Sequence, residues 1–167
     1  MSRLAALVAF VASIVAANYL TATFGLVPIG FGLLVTAGTF AAGFALIARD
    51  WVQTTSGRGW AVLAVVVGAA LSYVLSTPAL AVASGVAFLV SELIDLGVFT
   101  RLRTRFLPAA VLVSSIVAAP VDTVLFLWLA GFPLTWPAVL GQFLVKTALA
   151  GIVAAVLAAR DREPLPA

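Results

Sequence analysis

Residues 107–131 read LPAAVLVSSIVAAPVDTVLFLWLAG, a run of 25 positions in which Asp122 is the one charged residue. An α-helix rises about 1.5 Å per residue, so about 20 apolar residues cross the hydrocarbon core of a bilayer. The run is therefore long enough to span a membrane. Because a charge at membrane depth costs several kcal/mol unless it is paired or hydrated, Asp122 needs a reason to be there.

The rest of the chain repeats this apolar pattern. Hydrophobic residues make up 64% of its 167 positions and charged residues 9%, whereas a soluble domain carries roughly 25% charged residues. Turns rich in glycine and proline separate the apolar runs. The sequence predicts an all-α, polytopic membrane bundle of six transmembrane helices, at 4–24, 30–51, 60–76, 78–100, 107–131 and 135–159. Residues 1–160 form the predicted transmembrane domain, and 161–167 a short cytoplasmic tail.

The basic residues outside the span centres all fall at alternate ends of the runs. They are Arg3, Arg49, Arg58, Arg101, Arg103, Arg105, Arg160 and Arg162. The other loops, near Val27, Thr77 and Phe132, hold no Lys or Arg. Because positively charged loops stay in the cytoplasm, both termini are predicted to be cytoplasmic. The net charge of +3 then reflects this bias and not nucleic-acid binding. The first run resembles a signal peptide as far as Ala17, but its full spanning length favours a retained helix.

Some chemistries are excluded by composition. The chain has no cysteine and no histidine, which removes disulfides, histidine acid–base catalysis and the usual zinc sites. It has no GxxxxGK[ST] phosphate-binding loop, so the chain itself is not expected to hydrolyse ATP. We expect no cofactor and no enzymatic activity.

Four charged residues remain inside the predicted spans: Glu92, Asp95, Asp122 and Lys146. The helical rise places Asp122, Lys146 and the amide of Asn18 each roughly 18–21 Å from the cytoplasmic ends. It places Glu92 about 12 Å and Asp95 about 8 Å from that side. Polar groups from several helices are therefore predicted to meet near the middle of the membrane.

Two interpretations of these charges stay open. Asp122 and Lys146 could form an ion pair that only fixes helix packing. Such a pair would leave Glu92 and Asp95 without a partner, because the predicted spans hold three acids and one base. This surplus of acids favours a binding site for a polar solute. Asp95 could also pair with Arg101 or Arg103 at the membrane interface. The amides of Asn18 and Gln142 either complete the site or link helices by hydrogen bonds.

Motifs along the chain resemble those of a known family. They are Ala17-Asn18-Tyr19-Leu20, Thr36-Ala37-Gly38-Thr39-Phe40 with Arg49-Asp50, Ser91-Glu92-Leu93-Ile94-Asp95, Val98-Phe99-Thr100-Arg101-Leu102-Arg103, Val121-Asp122-Thr123, and Gln142 with Lys146. Their types and order are similar to those of the queuosine precursor transporters, also called the vitamin-uptake-like family. By motif position, polar residues typical of that family fall at Asn18, Asp50, Asp95, Asp122 and Lys146, and an acid or amide is usual at Glu92. One departure is Ala119, where the family commonly has an asparagine.

The resemblance implies a six-helix inner-membrane carrier that imports 7-cyano-7-deazaguanine and related 7-deazaguanines for salvage into a modified tRNA base. A carboxylate, Glu92 or Asp122, would accept the N–H donors of the guanine-like edge, and Lys146 would lie on the carbonyl side. An aromatic ring would stack on the flat solute. The predicted substrate-binding residues are Asn18, Tyr73, Phe88, Glu92, Asp95, Asp122, Phe126, Gln142 and Lys146.

An alternative is a substrate-binding subunit of an energy-coupling-factor vitamin importer, whose ATPase module resides in other chains. Such subunits pack their first helix on that module through Ala-xxx-Ala repeats, and Ala5/Ala9 and Ala12/Ala16 have this spacing. The expected partners are otherwise the lipid bilayer and the small-molecule solute, and a homodimer is one assembly that so small a bundle could form.

Overall fold

The structure is a computed structural model, and it describes residues 2–102 and 106–160. In this part of the chain it contains six helices: α1 (Arg3–Phe24), α2 (Thr39–Ser56), α3 (Arg58–Leu75), α4 (Pro78–Leu102), α5 (Leu107–Leu129) and α6 (Trp136–Arg160). The predicted all-α polytopic bundle of six helices is confirmed. The predicted tail and the basic residues Arg103, Arg105 and Arg162 lie outside the described residues.

Local chemistry explains where several helices begin. The hydroxyl of Ser2 accepts a hydrogen bond from the backbone N–H of Ala5 and so caps α1. Proline stands at the start of α4, as Pro78, and in the first turn of α5. Its missing N–H has no cost there, because the first N–H groups of a helix have no intrahelical partner.

Four of the helices, α1, α4, α5 and α6, are long and apolar enough to cross a membrane by length and composition. The other two are shorter, with 18 residues each, and α2 carries charge within its length. Large apolar side chains such as Val74 and Leu93 are exposed on the outside of the bundle. That arrangement suits a protein whose outer surface contacts lipid instead of water.

The segment before α2 corrects the sequence prediction. Residues 30–38 were expected to begin the second helix, but that helix begins only at Thr39. The chain instead forms an antiparallel hairpin of β1 (Leu26–Gly30) and β2 (Leu33–Thr36). Its turn, 30–32, has positive φ at Gly30, Phe31 and Gly32, and such backbone is incompatible with a helix. Phe31 at the tip of the hairpin is fully exposed.

The hairpin rests directly on α6. Strand β2 packs along this helix, and a side chain at Gly141 would collide with the backbone carbonyl of Leu34. Glycine at this position therefore allows the two backbones to touch. The backbone N–H of Ala37 donates to the carbonyl of Gly25 at 2.9 Å, which closes the base of the hairpin at the end of α1.

The packing of the bundle separates α2 from α4. An apolar cluster that includes Phe10, Val52 and Val65 joins α1, α2 and α3. Helix α2 packs against α1, α3 and α6, whereas α4 packs mainly against α5 and α3. In the described part of the chain, α2 and α4 make little direct backbone contact, which leaves room for side chains between them.

The hairpin contact predicts a stability difference between two glycines of α6. We expect Gly141→Ala to lower the stability of the purified protein in detergent by about 1–3 kcal/mol, the usual cost of overpacking. Gly151→Ala, with open space at the same helix, is the matched control and should be neutral or stabilising by up to about 1 kcal/mol. Thermal unfolding of both variants measures this, and equal midpoints would contradict the described contact.

Candidate functional site

A buried ion pair links α5 and α6 near the middle of the bundle. The ammonium of Lys146 donates to Asp122 Oδ2 at 2.5 Å and to the hydroxyl of Thr123 at 3.1 Å. The hydroxyl of Ser91, on α4, lies 3.4 Å from Asp122 Oδ1. Lys146 is only 5% exposed. Because it is buried, its charge is compensated by the carboxylate and the hydroxyl.

A second ion pair links α2 and α4. The guanidinium of Arg49 donates to Glu92 Oε2, and the amide of Gln53 donates to Glu92 Oε1 at 3.0 Å. Asp95, about one turn further along α4, has its Oδ2 3.7 Å from Arg49 Nη1. Two side chains of α2 thus hold one carboxylate of α4 across the space between these helices.

The position of Arg49 corrects a sequence prediction. It was counted among the loop cations, but it lies inside α2, is 7% exposed, and faces the two acids of α4. Among the side chains that the structure describes, the inward-facing set is therefore three acids against two bases, not three against one. Asp95 was alternatively expected to pair with Arg101 or Arg103. The structure places Asp95 near Arg49 instead, while Arg101 is exposed and Arg103 lies outside the described residues.

We call the larger cavity of the bundle the upper chamber. It has an empty volume of about 630 Å³, counted to its open mouth. Residues of the hairpin, α1, α2, α4, α5 and α6 line it. The sequence-predicted residues among them are Asn18, Phe88, Asp122, Phe126, Gln142 and Lys146. The structure therefore brings six of the predicted site residues together.

The two amides of the upper chamber differ in how they are satisfied. Asn18 donates to the hydroxyl of Ser72 at 3.0 Å, so it links α1 to α3. Gln142 is 1% exposed, and its Nε2 has no hydrogen-bond partner among the residues that the structure describes. A buried donor without a partner costs about 1–3 kcal/mol. An acceptor atom of a bound solute would remove that cost.

Two phenylalanines provide aromatic walls for the upper chamber. Phe88 packs against Phe10 with ring centroids 5.9 Å apart, and Phe126 packs against Phe132 at 6.4 Å. These neighbours hold the rings in place. Tyr73, the third predicted aromatic, is 56% exposed on α3, and it is the adjacent Ser72 that points into the bundle. The structure therefore does not bring Tyr73 to the site.

A smaller cavity, the lower chamber, has a volume of about 400 Å³. Its lining residues are Leu46, Arg49, Ser91, Glu92, Asp95, Ser115, Ala118, Ala119, Asp122 and Lys146. Three of these, Leu46, Asp122 and Lys146, also line the upper chamber. The single pocket expected from the sequence is thus divided in two, with Glu92 and Asp95 in the lower part. Ala119, the departure from the family pattern, lies in the wall of the lower chamber.

Sequence reasoning missed several polar partners of the site. Ser91 and Thr123 stand in the quoted motifs beside Glu92 and Asp122, but no role was assigned to them, and nothing in the local pattern of Ser72 distinguishes it. For Arg49 the sequence held a usable signal. The turn after α2 comes about two helical turns later, so Arg49 lies within the helix. It also lies four residues before Gln53, which places both side chains on one face of the helix.

The ion pair between α5 and α6 predicts non-additive stability effects. Lys146→Met should destabilise the protein by up to about 3–5 kcal/mol, because it leaves the partly buried carboxylate of Asp122 uncompensated. Adding Asp122→Asn should recover part of this loss, since the amide carries no charge. Thermal unfolding in detergent of the two single variants and the double variant measures the coupling. Simple addition of the two single effects would contradict a direct pair.

Comparison with known proteins agrees with this architecture. A family model described as "Putative vitamin uptake transporter" matches residues 2–159, nearly the whole chain. No curated protein and no solved structure matches it. The match takes in the six helices, the hairpin and both ion pairs. This chain therefore belongs to the vitamin uptake transporter family, and it is a membrane transport protein.

Proposed function

We propose that this transporter imports queuosine precursors, 7-cyano-7-deazaguanine and related 7-deazaguanines, across the bacterial inner membrane for salvage into tRNA. The observation that carries the proposal is the composition of the upper chamber. An ion pair, an amide donor without a partner and two fixed aromatic rings face one cavity. The motifs shared with the queuosine precursor transporters support the choice of solute.

The ion pair favours a neutral solute that presents donors beside an acceptor. In the structure, Asp122 and Lys146 satisfy each other. A cationic solute would satisfy the carboxylate and leave the ammonium bare, and an anionic solute would do the reverse. Either bare charge is costly where the side chain is largely buried, as Lys146 is. A neutral guanine-like edge inserts between them, donating N–H groups to Asp122 and accepting from Lys146.

The remaining groups of the chamber fit the rest of such a heterocycle. The Gln142 amide offers a donor for a second acceptor atom of the solute. Phe88 and Phe126 offer apolar faces for a flat ring. A charged or strongly non-planar solute would make poor use of these walls.

A second candidate is a substrate-binding subunit of an energy-coupling-factor importer. One observation favours it: the small-residue stripe of α1 is not buried in the bundle, since Ala12 is exposed and Ala5, Ala9 and Ala16 are half-buried. Such a stripe would allow a partner helix to approach closely. Uptake by this chain in a host that has no such ATPase module would exclude this candidate.

Uptake of labelled 7-cyano-7-deazaguanine tests the proposed function, in cells that cannot synthesise 7-deazaguanines. We expect the wild type to restore uptake. Asp122→Asn and Gln142→Leu should each lower it at least about tenfold, which corresponds to about 1.4 kcal/mol of lost interaction. Rates are compared per amount of folded protein in the membrane. Absence of uptake by the wild type would refute the substrate, and unimpaired uptake in both variants would refute the site.

The two aromatic positions provide a matched pair. Phe126→Leu, in the wall of the upper chamber, should raise the apparent KM for uptake about threefold to tenfold. The reason is the loss of ring stacking on the solute, worth about 0.5–1.5 kcal/mol. Tyr73→Leu, on the outer surface of α3, should leave the apparent KM unchanged. The reverse ranking of the two variants would show that the solute binds elsewhere.

A further inference from the structure

The two chambers lie on opposite sides of one ion pair. On α4, Phe88 lines the upper chamber, whereas Glu92 and Asp95 line the lower one. On α5, the lower chamber extends from Asp122 to Ser115. These spacings of four to seven residues correspond to roughly 6–10 Å along the helix axes. The lower chamber is therefore displaced along the bundle, towards the ends that carry the basic loops.

The lower chamber contains polar side chains that do not line the upper chamber. The Glu92 carboxylate is held by Arg49 and Gln53. Asp95 forms an ion pair with Arg49 at 3.7 Å, but it accepts no hydrogen bond from the residues that the structure describes. The hydroxyl of Ser115, on the facing helix, lines the same cavity. A carboxylate with free acceptor positions and a hydroxyl opposite it can bind a donor-bearing solute.

We propose that the lower chamber is a second solute site, in series with the upper one and selective for the same class of neutral, planar heterocycle. The inference rests on the proposed function. Asp95 accepts N–H groups of the solute in the lower chamber, as Asp122 does in the upper chamber. Solute crosses the bundle by passing from one site to the other, at the level of Leu46, Asp122 and Lys146.

Shared lining explains why passage between the two sites is feasible. Asp122 and Lys146 line both chambers, so they keep contact with the solute, or with each other, throughout the transfer. No step then leaves a bare charge at membrane depth. Binding that is divided between two sites in series also lets the solute leave, because neither site holds it with the full set of contacts.

The bridge from α2 to α4 lies in the wall of the lower chamber, since Arg49 and Glu92 both line it. Arg49 and Gln53 reach Glu92 across a gap in which these two helices make little direct backbone contact. Release of the solute through this wall would require rearrangement of these side chains and not the separation of a packed helix interface.

The chain contains no cysteine, so single cysteines can report on each chamber. Ser84→Cys marks the upper chamber, Ser115→Cys the lower chamber, and Ala110→Cys, fully buried on α5, is the control. With a small, water-soluble thiol reagent, we expect both serine-derived thiols to react at least about tenfold faster than the control. If the thiol of Ser115→Cys reacts no faster than the control, the lower chamber is closed to water and the proposal fails.

Protection of these thiols from the reagent by 7-cyano-7-deazaguanine then distinguishes the proposed function from the proposed second site. We expect it to slow the reaction of both thiols severalfold. Protection of Ser84→Cys without Ser115→Cys overturns the second site and leaves the proposed function standing. Protection of neither thiol, together with no uptake by the wild type, overturns the proposed function and with it the site for that solute.

A bulky residue tests whether the lower site lies on the transport path. Ser115→Trp should abolish uptake while solute still protects the thiol of Ser84→Cys in the combined variant. Val113→Trp, exposed on the same helix two residues earlier, is the matched control and should retain uptake. Normal uptake by Ser115→Trp would overturn the proposal. So would loss of protection at Ser84→Cys, which would indicate a single continuous site.

Discussion

Charge at membrane depth has to be compensated within the protein, because the hydrocarbon around it offers no water and no counter-ion. In the part of the chain that the structure describes, Asp122 pairs with Lys146, and Arg49 pairs with Glu92 and, at 3.7 Å, with Asp95. Apolar contact between helices has little directional preference, whereas an ion pair has a defined geometry. These ion pairs therefore determine which faces of α2, α4, α5 and α6 point inward, and the aromatic walls and amides of the chambers follow from that rotation.

The sequence predicted well what depends on distance along a helix. Counting the helical rise placed Asp122 and Lys146 at one level, and the structure joins them. The same counting placed Glu92 about 6–9 Å nearer the cytoplasmic side. This difference in depth is consistent with two chambers, but all of these residues were expected to line one pocket. The structure shows two chambers because Leu46, Asp122 and Lys146 lie between them and line both.

What depends on rotation or on burial could not be predicted in this way. Ser72 and Tyr73 are neighbours in sequence, yet one is buried and the other faces outward. Arg49 was assigned to a loop because it lies near one, and its burial follows from the two acids of α4. The hairpin was missed because its apolar residues suit a helix as well as a strand. The decisive feature is the positive φ of the turn, which a hydropathy pattern does not contain.

The contact between the hairpin and α6 has a mechanical consequence. Gly141 and Lys146 are five residues apart, about 7.5 Å along the same helix. The backbone of β2 touches α6 at Gly141 without an intervening side chain, so the contact has no slack to absorb a displacement. A tilt of α6 at Gly141 would therefore displace the hairpin as well. The backbone of α6 thus connects Lys146, at the centre of the protein, with the hairpin whose exposed tip is Phe31.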